Sequence, residues 1–337
     1  MKRSAGITAI GAYAPEKVVT NDDLSRFLDT NDEWIRSRTG IRRRHLAADD
    51  EFASHMAFAA VDDLVRRYGE AALQDVDLVI VATNTPDALF PATASLVQDR
   101  FGLRAGAFDL LAACPGWVYA LSVAQAYVES GLASKVLTVG SDALSKVLDW
   151  TDRRTAVLFG DGAGAAIVEA VPAPHGIHGT VLGSDGAGGG LLHVGETAPS
   201  LPTGEAMSGK LEMNGREVYK FAVRVMNDTT LEALGKAGLE PADVDLFVPH
   251  QANQRIIDAG RERLGLPPEK VVSVVDEYGN ASTASIPMAL VDALDAGRLR
   301  DGDRALLVSF GGGLSWATTV LTWGPMRPAL AGAKGAA

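Results

Sequence analysis

An internal repeat at about half the chain length constrains the fold of this 337-residue chain more than any other feature. The apolar segment DVDLVI at residues 75–80 matches DVDLFV at residues 243–248, in the other half of the chain. The segment KVLTVG at residues 135–140 resembles RALLVS at residues 304–309, at nearly the same offset. Asp109 matches Asp276, again at nearly that offset. Because three matches in the same order share nearly one offset, we predict that one structural unit has been duplicated.

Within each copy, short apolar runs alternate with segments of helical spacing, a pattern typical of a parallel or mixed sheet flanked by helices. The runs at residues 76–82 and 156–159 predict buried strands, and the apolar spacing over residues 51–67 predicts a helix. A proline-rich stretch without periodicity, EAVPAPHGIH at residues 169–178, separates the copies. The sequence therefore predicts two α/β halves, at residues 1–172 and 173–326. A mobile tail is predicted at residues 327–337.

The only cysteine of the chain, Cys114, falls between a predicted strand at residues 108–111 and a nearly all-apolar helix. Pro115 favours the first helical position, so we expect Cys114 to cap the helix. A thiol at that place faces the positive end of the helix dipole, which favours the thiolate. Cys114 is therefore a candidate nucleophile, although a free cysteine is also a common small residue of apolar cores.

Two polar residues occupy matching strand ends in the second copy. His250 follows the repeated strand, at the edge where ligands bind in open α/β sheets. Asn280 follows Gly279 at the position that corresponds to the Cys114 junction, and its amide can donate hydrogen bonds to a carbonyl or oxyanion. Each also has an ordinary structural interpretation: His250 as a loop residue with its hydrogen bonds made, and Asn280 as a turn residue. Together with Cys114 they predict one site that draws on both halves.

Two glycine-rich segments bear on the chemistry. SFGGGLSW at residues 309–316 follows a repeated strand, and a backbone N–H there can complete an oxyanion hole with the N–H of Cys114. GDGAGAA at residues 160–166 suggests a nucleotide loop, but its GxGxG spacing lacks the acidic residue expected further along a βαβ unit. The first segment is a candidate for the site, and the second is not.

Composition excludes several classes of function. A formal net charge of −11 argues against nucleic acid or an anionic membrane as the main partner. A single cysteine excludes an internal disulfide framework, and no cysteine–histidine cluster has zinc spacing, so no metal is expected. The N-terminal apolar run is broken by glycines and a proline, and no stretch is long and apolar enough to span a membrane. We therefore expect a cytoplasmic protein.

Six segments carry a resemblance to a known family, and they cover nearly the whole chain: NDEWIRSRTGI, FDLLAACPGW, FGDGAGAA, PHQANQRI, GNASTASIP and FGGGLSW. With them the chain resembles the β-ketoacyl-acyl carrier protein synthase III family of thiolase-fold condensing enzymes. The resemblance implies a thiolase-like fold, with two duplicated halves in a five-layered αβαβα sandwich. It also implies a homodimer that needs no cofactor, since its CoA thioester is a substrate.

The resemblance implies a two-step reaction that initiates fatty acid biosynthesis. Cys114 takes the acyl group of a short-chain acyl-CoA such as acetyl-CoA, and CoA leaves. Malonyl-acyl carrier protein then loses CO2, and its carbanion attacks the acyl-cysteine to give a 3-ketoacyl-acyl carrier protein. His250 and Asn280 bind the thioester oxygen of the malonyl group as it becomes an enolate. Thiolase proper uses a second cysteine, which this chain lacks.

Further roles follow from the resemblance, residue by residue. The backbone N–H groups of Cys114 and Gly312 form the oxyanion hole. CoA and substrate contacts fall to Trp34, Arg38, Arg153, Asn253, Phe310 and Phe90, where Phe90 reaches the acyl pocket of the partner subunit. The acidic carrier protein meets Lys220 and Arg255. Without the resemblance, Trp34 and its neighbouring arginines would be interpreted as a charged surface loop.

Three other functions stay open at this stage. The chain can be an acyltransferase or starter-unit ketosynthase of a specialised pathway. It can be a Cys-His-Asn hydrolase, although ACPGW lacks the local signature of such enzymes. It can also be a non-catalytic scaffold that binds acyl-CoA or carrier protein, although it keeps all three polar catalytic residues.

Overall fold

The computed structural model describes residues 4–195, 198–202 and 204–330. The strands run, in chain order, as β1 Ser4–Tyr13, β2 Lys17–Thr20, β3 Arg43–Leu46, β4 Leu78–Ala82, β5 Gly106–Leu110, β6 Lys135–Asp142, β7 Gly162–Val171, β8 Gly176–Ser184, β9 Leu192–Val194, β10 Leu211–Met213, β11 Leu246–Pro249, β12 Arg304–Gly311 and β13 Ser315–Thr322. The helices are α1 Asn21–Ser25, α2 Asp32–Thr39, α3 Ala53–Tyr68, α4 Thr93–Arg100, α5 Gly116–Ser130, α6 Arg153–Ala156, α7 Gly215–Ala237, α8 Gln254–Arg263, α9 Val275–Tyr278 and α10 Ser285–Asp295.

Two mixed sheets form the framework and have the same strand order. The first sheet runs β1-β7-β6-β4-β5, and the second runs β8-β13-β12-β11 in the corresponding direction. In both sheets the first two pairs are antiparallel and the third is parallel. The fifth position of the second sheet is reduced to one parallel bridge between Phe247 and Val271. The predicted duplication is therefore visible in the topology.

The sheets and helices stack in five layers, αβαβα. Helices α3 and α4 cover the outer face of the first sheet. Helices α5 and α10 lie between the two sheets and share one apolar core with both. Helices α7 and α8 cover the outer face of the second sheet. Both faces of the central strands are thus buried, which explains why runs such as LVIVA at residues 78–82 are continuously apolar.

The repeat extends to the backbone of the two turns that lead into the middle layer. Helix α5 begins at Gly116 and helix α10 at Ser285, at the offset of the repeated strands. Ala113 and Ser282, which are separated by that same offset, both have a φ of 51°. This left-handed conformation is uncommon outside glycine. The two copies therefore keep the same unusual turn before the same helix.

The structure corrects two local predictions. Cys114 precedes the helix cap instead of forming it, because Gly116 donates its N–H to Ala113 and closes a turn that ends with Pro115 as the N-cap. The run at residues 156–159 is not a strand, since Asp152 caps the short helix α6 that reaches Ala156. The apolar residues of that run are buried by a helix end and its loop.

The end of the described chain returns to the first half. Arg327 donates its backbone N–H to Thr8 and its guanidinium to Glu169, and Leu330 donates its N–H to Arg67. Hydrogen bonds at Arg327 and Leu330 therefore tie the start of the predicted mobile tail to the first half. The other residues of that tail, 331–337, lie outside the described residues.

Candidate active site

Cys114 lies where the two halves meet, against the end of strand β12. A Cβ added to Gly311 would lie 2.8 Å from the backbone nitrogen of Cys114 and 3.1 Å from its Sγ. Only glycine leaves room for this contact. Ser315, at the start of β13, lies with its hydroxyl 2.9 Å from the carbonyl oxygen of Ala112. The second half thus holds the turn that carries the cysteine.

The surroundings of Cys114 favour a thiol in the resting protein. Burial raises the pKa of the Cys114 thiol to about 12, and the nearby charge of Asp142 acts in the same direction. The hydroxyl of Ser282, 3.4 Å from Sγ, acts in the opposite direction. The sequence-based expectation of a favoured thiolate was therefore wrong. Desolvation outweighs the helix end, which lies two residues away.

Asn280 is fixed by its own backbone and by one end of its side chain. Its N–H donates to Leu158 at 2.9 Å, and its carbonyl oxygen accepts from Gly160 at 3.1 Å. Its Oδ1 accepts the backbone N–H of Ser282 at 2.9 Å. This anchors the oxygen end of the amide, so the Nδ2 end is the one left to donate to another group.

His250 follows β11 and is nearly fully buried. Its Nδ1 lies 2.6 Å from the hydroxyl of Ser285 at the start of α10, and its ring meets Phe310 edge-on at 5.4 Å between centroids. Burial lowers the pKa of His250 to about 3, so the imidazole is neutral at ordinary pH. When Ser285 donates to Nδ1, the hydrogen of the ring is on Nε2. The residue is then a neutral hydrogen-bond donor.

The three predicted catalytic residues are linked through the middle of the molecule. Phe310 contacts His250, and the next residue, Gly311, abuts Cys114. Asn280 holds the N–H of Ser282, whose hydroxyl reaches Cys114. Each partner of the cysteine is thus connected to it through one short path.

Sequence reasoning missed a polar cluster beside the thiol. Asp142, at the end of β6, is fully buried and accepts hydrogen bonds from the backbone N–H and the Nδ2 of Asn84 at 2.6 and 2.8 Å. It also accepts from the N–H and hydroxyl of Thr283 at 3.2 and 3.0 Å. Burial raises the pKa of Asp142, and these donors act against that shift. The signal that could have found the cluster is the repeat, because Ser282 in the second copy corresponds to the cysteine turn in the first.

The residues predicted to bind CoA form one surface group where α2 and α6 of the first half meet the start of α8 in the second. The guanidinium of Arg153 lies over the Trp34 ring at 5.5 Å and also bonds to Asp29. Asn253 caps α8 and donates through Nδ2 to the carbonyl oxygen of Arg38 at 3.2 Å. Trp34 and Arg38 are one turn apart on α2, so these two contacts place Trp34, Arg38, Arg153 and Asn253 in one group.

The two residues predicted to meet the carrier protein are on neighbouring outer helices. Arg255 on α8 lies over the ring of Tyr219 on α7, at 5.5 Å. Lys220, the next residue on α7, is paired with Glu217 at 2.7 Å. Both cationic side chains are exposed, and the backbone N–H of Arg255 donates to Oδ1 of Asn253, which connects α8 to the group that contains Trp34.

Of the other predicted site residues, Gly312 lies beside the cysteine, and Phe90 lies on the surface. Gly312 lies beside the cysteine turn, since a Cβ added to it would be 3.6 Å from the Cβ of Ala113. Phe90 is 84 % exposed and follows Leu89, which is 64 % exposed. Phe90 thus presents an apolar ring to solvent in the isolated subunit. Its predicted role in a partner's pocket stays a prediction.

No helix within residues 4–195, 198–202 and 204–330 is long and apolar enough to cross a membrane. The same residues contain no group of three or more His, Cys, Asp or Glu side chains placed to hold a metal ion. Asp142, a fully buried carboxylate beside the cysteine, is surrounded by hydroxyl and amide donors instead.

Comparisons with known proteins agree over the whole chain. The family described as 3-Oxoacyl-[acyl-carrier-protein (ACP)] synthase III matches residues 108–186, and its C-terminal counterpart matches residues 234–323. The chain is 52% identical to a β-ketoacyl-[acyl-carrier-protein] synthase III from Deinococcus deserti, over 97% of this chain and 93% of the relative. A crystal structure of the synthase III from Thermus thermophilus superposes with a TM-score of 0.94 at 64% identity, covering 95% of this chain and 99% of that one. The priming β-ketosynthase of the R1128 polyketide pathway superposes with a TM-score of 0.89 at 37% identity, covering 97% and 98%.

Proposed function

Because the chain belongs to the 3-oxoacyl-[acyl-carrier-protein] synthase III family of thiolase-fold condensing enzymes, we propose that its site between the two halves joins a short-chain acyl group to a malonyl unit. The protein is an acyltransferase that condenses an acyl-CoA with malonyl-acyl carrier protein and initiates fatty acid synthesis. The observation that carries the assignment of the site is the position of Cys114, in contact with both the Gly311 backbone and the Ser282 hydroxyl of the other half.

In the first step, the sulfur of Cys114 attacks the carbonyl carbon of the acyl-CoA. The new C–S bond forms, the bond to CoA breaks, and the proton of the thiol leaves with CoA. The backbone N–H groups of Cys114 and Gly312 stabilise the oxyanion that develops. The position of Gly312 beside Ala113 supports this pairing. Partial exposure of Cys114 leaves the thiol within reach of a substrate.

In the second step, malonyl-acyl carrier protein loses CO2, and the resulting carbanion attacks the carbonyl carbon of acyl-Cys114. The new C–C bond forms, the bond from that carbon to Sγ breaks, and Cys114 leaves as a thiolate that takes up a proton from solvent. Electrons move from the C–C bond that breaks into an enolate, whose oxygen needs hydrogen-bond donors. His250 supplies Nε2–H and Asn280 supplies Nδ2–H. The neutral state of His250 and the anchored Oδ1 of Asn280 support donor roles for both residues. Decarboxylation replaces the removal of a proton from carbon, so no base is required.

The substrates approach from the surface where α2 of the first half meets α7 and α8 of the second. The indole of Trp34 stacks with the adenine of CoA, and Arg38 and Arg153 pair with its phosphates. Asn253 and Phe310 contact the pantetheine chain and the acyl channel. Lys220 and Arg255 attract the acidic carrier protein to the same entrance, which matters on a chain with a net charge of −11. The contacts that join these residues into one group support a single entrance.

We further propose a cytoplasmic homodimer in which Phe90 enters the acyl pocket of the partner subunit. An 84 % exposed phenylalanine beside an exposed leucine is an apolar surface of the kind that subunits cover. No cofactor is expected besides the CoA thioester, which is a substrate, because carbon–carbon bond formation draws on the loss of CO2.

A second candidate is a ketosynthase that supplies starter units to a specialised pathway. The 37% identity to the priming β-ketosynthase from R1128 polyketide biosynthesis favours it over hydrolysis or simple binding. Both candidates share the acylation of Cys114 and differ in the acyl chain and in the acceptor.

The experiment that tests the proposal follows the acyl group. The protein is incubated with acyl-CoAs of increasing chain length, and its intact mass and Cys114 peptide are measured. Malonyl-acyl carrier protein is then added, and a parallel sample receives none. We expect a short acyl group on Cys114 that disappears as a 3-ketoacyl-acyl carrier protein forms. An adduct that is lost equally fast without the acceptor would show a hydrolase, and no adduct with any chain would overturn the proposal.

A further inference from the structure

We propose that Ser282 is a further catalytic residue: its hydroxyl donates a hydrogen bond to Sγ of Cys114, and Asn84 and Asp142 hold it in that orientation. This inference deepens the proposed function and rests on the role given there to Cys114. It assigns the thiolate stabilisation to the second half of the molecule. The nucleophile itself belongs to the first.

The direction of the hydrogen bonds supports a donor role for Ser282. Nδ2 of Asn84 carries two hydrogens, and it lies 2.8 Å from Oδ2 of Asp142 and 3.3 Å from Oγ of Ser282. The serine oxygen therefore accepts from Asn84, and its own hydrogen faces two acceptors, the Asp142 carboxylate and Sγ of Cys114. Sγ of Cys114 lies 3.4 Å from that oxygen, which is within the range for sulfur.

The side chain of Ser282 is held in place more firmly than that of an ordinary serine in a loop. Its side chain is almost fully buried, its N–H is held by Asn280, and its backbone has a φ of 51°. A non-glycine residue rarely keeps such a φ unless the surrounding structure imposes it. Asn84 is fixed in turn by Asp142, which accepts both its backbone N–H and its amide.

Few charged groups face the thiol of Cys114. From strand β6, Asp142 acts on it and opposes ionisation. The end of β12 contributes Phe310 and Gly311, and the turn before α10 contributes Ser282 and Thr283, none of which is charged at neutral pH. His250 is neutral because burial lowers its pKa. A neutral donor is therefore the means by which this site can favour the thiolate without a cation.

Ser282 acts whenever the sulfur of Cys114 carries negative charge, first in its attack on the acyl-CoA and again when the condensation releases it. The proton of Cys114 leaves the thiol, the sulfur attacks the acyl carbon, and the departing CoA sulfur ends as a thiol, so that atoms and charge balance. Ser282 keeps its own proton throughout and only donates a hydrogen bond to the sulfur anion. In the condensation the bond between the acyl carbon and Sγ breaks, so the same hydrogen bond also stabilises the sulfur anion that leaves.

The test measures how fast Cys114 reacts with iodoacetamide at fixed pH values below the pKa of its thiol, where the rate is proportional to the thiolate fraction. A hydrogen bond to a charged acceptor is worth about one to two pKa units, and the intrinsic reactivity of the thiolate offsets about half of that change, so Ser282→Ala should lower the alkylation rate about 3-fold to 10-fold at every such pH. This readout needs neither acyl-CoA nor carrier protein. A failure of the proposed condensation therefore leaves it intact.

Alanine is tolerated in the backbone conformation of Ser282, because Ala113 has the same φ in the equivalent turn. Ser282→Gly, which accepts a positive φ without strain, repeats the measurement if alanine lowers the unfolding temperature. Ser309→Ala is the matched control. Ser309 is a fully buried serine on β12 whose hydroxyl has no hydrogen-bond partner among the described residues.

Asn84→Ala separates a positioning role from a general structural one. If Asn84 acts through Ser282, its substitution lowers the alkylation rate in the wild type but causes no further loss in the Ser282→Ala background. Alkylation rates of Ser282→Ala and Ser282→Gly within about 2-fold of the wild type would overturn the proposal. If Asn84→Ala lowers the alkylation rate further in the Ser282→Ala background, Asn84 does not act through Ser282.

Discussion

The turn before α5 and the turn before α10 have the same backbone and opposite chemistry. Both contain a non-glycine residue with a φ of 51°, and both lead after the same number of residues into a helix of the middle layer. The first turn presents a sulfur at Cys114. The second presents only donors, the hydroxyl of Ser282 and the amide of Asn280.

The difference shows how duplication can build an asymmetric site. One turn geometry, used twice, brings two sets of side chains to the boundary between the halves. The first set supplies the group that is acylated, and the second set surrounds it. A residue of either turn therefore acts on atoms that belong to the other half.

The largest expected effect comes from giving both turns a hydroxyl. Cys114→Ser places an alcohol in the first turn without changing its size much, but an alcohol is a weak nucleophile without a general base. Acyl adducts in the mass measurement should fall below detection. Acylation of the serine at a rate comparable to that of the wild type would mean that the turn, and not the sulfur, makes the site reactive.

A smaller effect on the rate of the reaction is expected when a donor of the second half, His250, is removed. His250→Ala removes one donor to the enolate oxygen, and losing one such donor costs about 100-fold to 1000-fold in rate. The rate of 3-ketoacyl-acyl carrier protein formation should fall by that factor, while acylation of Cys114 from acyl-CoA stays close to that of the wild type. Equal losses in both steps would contradict the division of work between the halves.

The contact between the halves can be tested at Gly311. A Cβ there would lie 2.8 Å from the nitrogen of Cys114, so Gly311→Ala must displace backbone and should lower the free energy of unfolding by about 1–3 kcal/mol and slow acylation. The control is Gly235→Ala within α7, where an added Cβ meets nothing within 4 Å. That substitution should stabilise the protein slightly, because alanine favours a helix. A neutral Gly311→Ala would show that the halves are not in tight contact at the cysteine.

The smallest effect concerns the buried imidazole. The pKa of His250 is about 3 when folded and 6.5 in the unfolded chain, so the unfolded state binds the proton first. Stability is then complete above pH 6.5 and falls as the pH decreases. Between pH 6.5 and about pH 5.5, the wild type should lose about 1 kcal/mol more of its free energy of unfolding than His250→Gln. Urea titrations at the two pH values measure the free energy of unfolding of both proteins. Equal losses in the wild type and in His250→Gln would contradict a neutral His250.

Much of this organisation could be predicted from the sequence, because the repeated strands are buried on both faces and keep recognisable apolar runs. The same repeat predicted that Cys114, His250 and Asn280 belong to one site. The αβαβα fold was confirmed by the structure and by the comparisons.

Other features depend on groups far apart in the chain and could not be predicted. The pKa of the Cys114 thiol follows from burial by the second half, which the local helix signal does not report. Ser282 lies in the segment ASTAS, where the repeat marks the turn but no local pattern distinguishes the hydroxyl of Ser282 from those of Thr283 and Ser285. Asp142 interacts with Thr283, 141 residues away, and such pairs have no local signature.

The middle layer has a consequence for how the protein unfolds. Helices α5 and α10 bury apolar side chains against both sheets, so neither half has a complete core of its own. Opening one half would expose the apolar surface of the other to water. Although the chain repeats, it should therefore melt as one cooperative unit, unlike solenoid repeats, whose neighbours can unravel one at a time.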